Sequence, residues 1–138
     1  MPRVFVYGTL RAGEVNDLNA AAQRHGIAAP TLLGTATVAG RLYDFGSYPG
    51  LVLDDNAGPV AGDVYDVADA LLPVLDEIEE VYPGQATLFV REERDVWHGG
   101  HAVTCLLYPV SDAAVAALPR IDGGDWVAYR RARDTAAA

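Results

Sequence analysis

Apolar positions change period several times along the chain, and each change marks an element. Val4–Tyr7 is a short, continuously apolar block ended by Gly8, the pattern of a buried strand. A polar loop follows. Leu18, Ala21, Ala22 and His25 then share one helical face, with Asn16 as the predicted cap and Gly26 as the stop. Strands are predicted around Thr35–Asp44, Leu51–Asp54 and Gly62–Val67, separated by Gly, Pro and Asp turn signals. A 3.6-residue period returns between about Asp69 and Val81, closed by Pro83-Gly84. Leu88–Trp97 and Ala102–Tyr108 read as a hairpin across His98-Gly99-Gly100-His101. A short Ala-rich helix follows Ser111, and GDWVAYRRAR opens a last one. Strands and helices do not alternate strictly, which disfavours a doubly wound parallel sheet. The pattern predicts an α+β fold, a small mixed or antiparallel β-barrel with helices packed against it.

One residue breaks the helical pattern. At ~100° per residue, Leu71, Leu72, Leu75, Ile78 and Tyr82 span an arc of roughly 120°. Asp76, Glu77 and Glu80 fall outside it, whereas Glu79 falls inside, between Leu75 and Leu72. A carboxylate on an apolar face costs free energy unless it is paired, hydrogen-bonded or neutralised. Burial raises its pKa towards the range useful to a general acid or base. The same position also suits a buried Glu paired with an Arg from a neighbouring strand, because structural ion pairs perturb acids too.

The bulk properties narrow the function classes. A chain of 138 residues reads as one domain, residues 1–138, with a tail that frays from about residue 131. The net charge is −9 and every basic residue except the three histidines is arginine. That balance argues against nucleic acid, which requires a basic face. Arg130, Arg131 and Arg133 cluster near the C-terminus and read as the solvated face of the last helix. The single cysteine, Cys105, lies in the apolar run Val103–Tyr108 and reads as a core thiol. VFVYG is too short for a signal peptide or a membrane span, so no membrane association and a cytoplasmic location are expected.

The first strand runs into Tyr7-Gly8-Thr9-Leu10-Arg11-Ala12-Gly13. A glycine after a buried strand allows a sharp turn that presents backbone N–H groups. Such amides can hold a carboxylate or stabilise an oxyanion, and the same sequence also suits a plain strand-ending turn. Gly8 and Gly13 have the spacing of a phosphate loop, but Glu14 and Val15 stand where that motif needs Lys and Ser or Thr. His98 and His101 sit at a hairpin tip without evident Cys or carboxylate partners, so no metal is expected. Ser47 and Ser111 lack a nucleophile-elbow motif. Asp54-Asp55 and Glu92-Glu93 read as solvated edges or turns, since strand neighbours point to opposite faces.

VFVYGTLR, LYDFGSYPGLV, GDVYDV, LDEIE (Leu75–Glu79) and GDW (Gly124–Trp126) occur in that order. Together they resemble the gamma-glutamylcyclotransferase-like family, in particular its small gamma-glutamylamine cyclotransferase and AIG2-like members, from Val4 to about Trp126. The resemblance implies a small mixed barrel and a cofactor-independent enzyme acting on a small gamma-glutamyl substrate. It implies that Glu79 is the general base and that Tyr7, Gly8, Thr9 and Leu10 hold the glutamyl group. Arg11 and Arg91 are candidates for a carboxylate clamp, with structural ion pairing as the alternative for each. Glu80 is the fallback base. Relatives carry Tyr-x-Arg after the catalytic helix, whereas Phe89 precedes Arg91 here, and Glu80–Leu88 is longer than usual. The alternative function on the same fold is a non-catalytic module binding a gamma-glutamyl or carboxylate ligand. The leaving amine and the oligomeric state are not legible.

Overall fold

Strand β1 (Arg3–Val6) is the central element of a barrel in the computed structural model, which describes residues 2–11, 14, 17–46, 48–78 and 91–137. It pairs antiparallel with β4 (Pro59–Asp66) and parallel with β6 (His101–Leu107). β2 (Thr31–Asp44) joins the other edge of β4, β5 (Glu92–His98) joins β6, and a Thr37–Trp97 pair closes the ring. The barrel order is therefore β2-β4-β1-β6-β5 and back to β2, with β3 (Pro49–Leu53) hanging on the far half of β2. The predicted α+β barrel with flanking helices is the fold observed.

Alternation along the strands makes two cores. Phe5, Ala36, Val38, Val64, Val96, Cys105 and Leu107 come from all five barrel strands and fill the interior with Trp126. Val4, Val6, Tyr65 and Val67 point the other way, towards Leu18 and Ala22 of α1 (Leu18–Arg24) and Leu71 and Leu75 of α2 (Leu71–Ile78). A strand of period 2 is thus buried on both faces, which explains why Val4–Tyr7 reads as continuously apolar. Gly62 leaves room for the Phe5 ring, since a Cβ there would lie 2.5 Å from Phe5 Cζ.

Several local expectations shift for identifiable reasons. The cap of α1 is Asp17, whose side chain accepts the Asn19 N–H at 2.8 Å; Asn16 lies outside the described residues. Leu18, Ala21 and Ala22 are buried as predicted, but His25 is the exposed C-cap, followed by Gly26 at φ +64°. β2 begins at Thr31 rather than Thr35, through a bulge between Leu32 and Gly34. Pro73 is tolerated in the first turn of α2 because its missing N–H has no intrahelical acceptor there. The hairpin turns on Gly99 and Gly100, both at positive φ, as that two-residue loop requires. After Ser111 only a 3₁₀ turn forms, Ala113–Val115, and Pro119 disfavours helical backbone at Leu118 beyond it. α3 (Trp126–Ala137) is the last element among the described residues.

Cys105 is buried inside the barrel, and burial pushes its thiol up to about 11. Among the described residues no helix is long and apolar enough to cross a membrane.

Candidate active site

The loop that leaves β1 is held at both ends by buried side chains. Tyr7 is buried, and its hydroxyl donates to the Tyr108 carbonyl at 2.6 Å while accepting the Leu51 N–H at 3.2 Å. Leu10 is buried against α1, and its carbonyl accepts the Leu18 N–H at 3.3 Å. Between these anchors the chain turns, with the Arg11 N–H donating to the Gly8 carbonyl at 3.1 Å. Gly8 lies against the Pro49 ring so closely that a Cβ would come within 2.6 Å of Pro49 Cγ. The start of β3 therefore forms the wall beside the loop. Beyond that wall Phe45 and Tyr48 stack, with ring centroids 5.2 Å apart.

Arg11 does not project from this loop as a separate cation. Its guanidinium reaches Asp63 of β4 at 3.4 Å and Asp125 at 3.3 Å, and little of it is exposed. Asp125 also accepts the Ala128 N–H at 3.1 Å through the same oxygen, so it caps the start of α3 while holding Arg11. Arg91 is likewise paired: Nη1 lies 2.8 Å from one Asp76 oxygen, and the other accepts the Tyr108 hydroxyl at 2.6 Å. For both arginines the structure shows the ion-pair arrangement that the sequence left open as the alternative.

Tyr108 thus joins two elements of the site. Its carbonyl receives the β1 loop through Tyr7, and its hydroxyl holds Asp76 near the end of α2. Glu79 and the fallback Glu80 follow Ile78 in the chain and lie outside the described residues, as does Phe89. The structure therefore brings Tyr7, Gly8, Thr9, Leu10 and Arg11 together in one turn and sets Arg91 on Asp76.

Sequence reasoning missed Tyr108, Pro49, Asp63 and Asp125 as supports of the site. Pro49, Asp63 and Asp125 lie inside the quoted motifs LYDFGSYPGLV, GDVYDV and GDW, and Asp125 is also an N-cap type residue directly before the first residue of the last helix. On the opposite face of β4 from Val64, the Tyr65 hydroxyl is buried without a hydrogen-bond partner among the described residues. Burial, reinforced by Asp17 and Asp63, pushes it up to about 12, so it remains neutral. Among the described residues no group of three or more His, Cys, Asp or Glu is arranged to hold a metal ion. His98 instead uses Nδ1 at 2.9 Å from the Thr35 carbonyl, beside the barrel closure.

The model of the family gamma-glutamyl cyclotransferase, AIG2-like, matches residues 4–128. This chain belongs to that family. The gamma-L-glutamyl-butirosin B gamma-glutamyl cyclotransferase of Niallia circulans is 42% identical over 103 residues, 72% of this chain. The match spans 61% of that relative's own length. A gamma-glutamylaminecyclotransferase of Rattus norvegicus is 29% identical over 133 residues, covering 83% of this chain and 81% of the rat protein. Among solved structures, an AIG2-like protein from Mus musculus superposes with a TM-score of 0.69 at 25% identity, covering 88% of this chain and 86% of its own. YkqA from Bacillus subtilis gives a TM-score of 0.71 at 24% identity over 97% of this chain and 42% of that protein, a likeness of fold. The family segment takes in the whole β1 loop, α2 and the start of α3, so every element that bounds the site belongs to it.

Proposed function

We propose that the chain is a gamma-glutamyl cyclotransferase that releases an amine or amino acid from a gamma-glutamyl amide as 5-oxoproline forms. The observation that carries this reading is the Tyr7–Leu10 turn, pinned by Tyr7 and Leu10 inside the family-matched segment 4–128, in a chain 42% identical over 103 residues to a relative named for such activity. In the proposed reaction the substrate's α-amine attacks its own γ-carbonyl. A C–N bond closes the five-membered ring and the bond to the leaving nitrogen breaks. The glutamyl carbon chain tethers nucleophile and carbonyl, so the substrate itself meets most of the entropic demand. The α-ammonium, with a pKa of about 8, must first lose a proton. In this reading Glu79 takes it and returns it to the leaving nitrogen, and the ring nitrogen gives its surplus proton to solvent. A Glu at the ordinary value of about 4.3 is a weak base for that task, so burial of Glu79 is part of the proposal.

The turn amides at Gly8, Thr9 and Leu10 are assigned to the substrate carboxylate or to the oxyanion. With Arg11 held by Asp63 and Asp125, its part is to fix the turn. Arg91 is assigned to the rim of the site, where a substrate carboxylate would share it with Asp76. The reaction as written needs no cofactor.

The test is incubation of the purified chain with gamma-glutamyl amino acids and amines, with 5-oxoproline read by mass spectrometry. Release is expected, and Glu79→Gln should lower the rate by roughly 10²–10⁴-fold with the fold retained. Release unaffected by that substitution would remove Glu79 from the mechanism. Binding of gamma-glutamyl compounds with no product from any of them would favour the binding-module alternative.

A further inference from the structure

The last helix reaches both loops that bound the site. Trp126 is inserted into the barrel interior, and Tyr129, Arg130 and Arg133 follow it on one helical stripe at i+3, i+4 and i+7. The Arg130 guanidinium binds Glu14 side-on, with Nε to Oε1 at 3.1 Å and Nη2 to Oε2 at 2.9 Å. The Glu14 side chain is only 5% exposed and that of Arg130 31%, so this is a bidentate pair with its carboxylate buried and its guanidinium partly in solvent. Its place in the chain is three residues beyond Arg11, at the end of the β1 loop. On the other side, Arg133 Nη1 reaches Asp44 at 3.2 Å and donates to the Gly46 carbonyl at 2.7 Å. The Tyr129 hydroxyl donates to the same Asp44 at 2.7 Å. The Arg133 guanidinium also lies 5.4 Å from the Trp126 ring centroid, which fixes its direction. Asp44 and Gly46 open the segment that leads through Phe45 and Tyr48 to Pro49, the residue packed on Gly8. These arginines are therefore not the solvated face that the sequence pattern predicts; only Arg131 of the three is exposed.

Tyr129, Arg130 and Arg133 lie beyond the segment that matches the family model, which ends at residue 128. We propose that in this chain α3 acts as a strap. Through Arg130–Glu14 and Arg133–Asp44 it holds the loop after β1 and the loop before β3 in mutual register, so Arg130 and Arg133 are positioning residues for the substrate site. The structural half of this proposal stands alone, and its effect on catalysis rests on the cyclotransferase reading above.

The test uses the full chain carrying Arg130→Ala with Arg133→Ala, and Arg131→Ala as the control. Amide hydrogen exchange is read for peptides covering residues 8–14 and 44–50 and for the barrel strands. Exchange in both loop peptides should rise roughly tenfold, the scale of losing one charged hydrogen bond, while the barrel strands and the control stay at the wild-type rate. Unchanged exchange in the two loops would overturn the strap. Should the double variant fail to fold, Arg133→Lys alone decides: it keeps the charge but not the paired geometry, and its 44–50 peptide must still exchange faster. Where the wild type releases 5-oxoproline, the double variant should raise KM about tenfold and change kcat by less than about twofold, the signature of lost binding geometry. A fall in kcat at constant KM would count against positioning. Absence of release from the wild type would count against the cyclotransferase reading alone, with the exchange data still deciding the strap.

Discussion

The Tyr7 hydroxyl and the Tyr108 carbonyl meet at 2.6 Å, and this bond ties the turn after β1 to the residue that also holds Asp76 of α2. The same hydroxyl accepts the Leu51 N–H, so one buried phenol satisfies two backbone groups from separate segments. Tyr7→Phe leaves the Tyr108 carbonyl and the Leu51 N–H without that partner. The expected loss is about 1–3 kcal/mol, seen as a lower urea midpoint with an unchanged m-value. A midpoint equal to wild type would show that the phenol is not a support of the turn.

Gly8 is required by space rather than by backbone conformation. It is absent from the glycines at positive φ, yet a Cβ there would meet the Pro49 ring at 2.6 and 2.7 Å. Gly8→Ala is expected to destabilise the chain by about 1–3 kcal/mol, the usual scale of overpacking, and to weaken substrate binding by displacing the turn. The discriminating measurement is the double variant Gly8→Ala with Pro49→Ala. Removal of the ring should recover most of the lost stability. If the pair is no better than Gly8→Ala alone, the close approach to Pro49 is not the reason for glycine.

Features set by local chemistry were legible in the sequence. The Gly8 strand ending, the Gly99-Gly100 hairpin and the Gly26 helix stop each follow from a glycine at a boundary between two periods. The barrel itself followed from the order of strands and the lack of strict alternation with helices. Contacts over long chain separations were not legible. Tyr108 and Tyr7 stand 101 residues apart, Arg130 and Glu14 stand 116 apart, and no periodicity links them. Clustered charge alone assigned Arg130 and Arg133 to solvent, although at ~100° per residue both follow Trp126 on one stripe. Long guanidinium side chains on a stripe that continues a buried Trp can instead lie along the barrel and reach carboxylates of other elements. The arc drawn for α2 placed Asp76 outside its apolar face, which agrees with a half-buried acid that pairs at the edge of its helix.

Asp44 and Tyr129 make the strap sensitive to pH at both extremes. Burial alone would raise the Asp44 carboxyl, but the Tyr129 hydroxyl, the Gly46 N–H at 2.6 Å and Arg133 outweigh it and hold the group below its usual range. A carboxyl depressed in the folded state contributes stability that is present above its unfolded value of about 4 and is lost as pH falls through the folded value. Tyr129 is displaced in the opposite direction, first by donating its proton to Asp44 and then by burial. Its contribution is complete below the unfolded value of about 10 and is lost as pH rises through the folded one. The stability difference between wild type and Asp44→Asn should therefore be constant across neutral pH, shrink below about pH 4 and shrink again above about pH 10. Urea midpoints of both chains across that range provide the check. A difference that stays flat through both limbs would mean that neither proton is coupled to folding at this contact, and that Arg133 carries it alone.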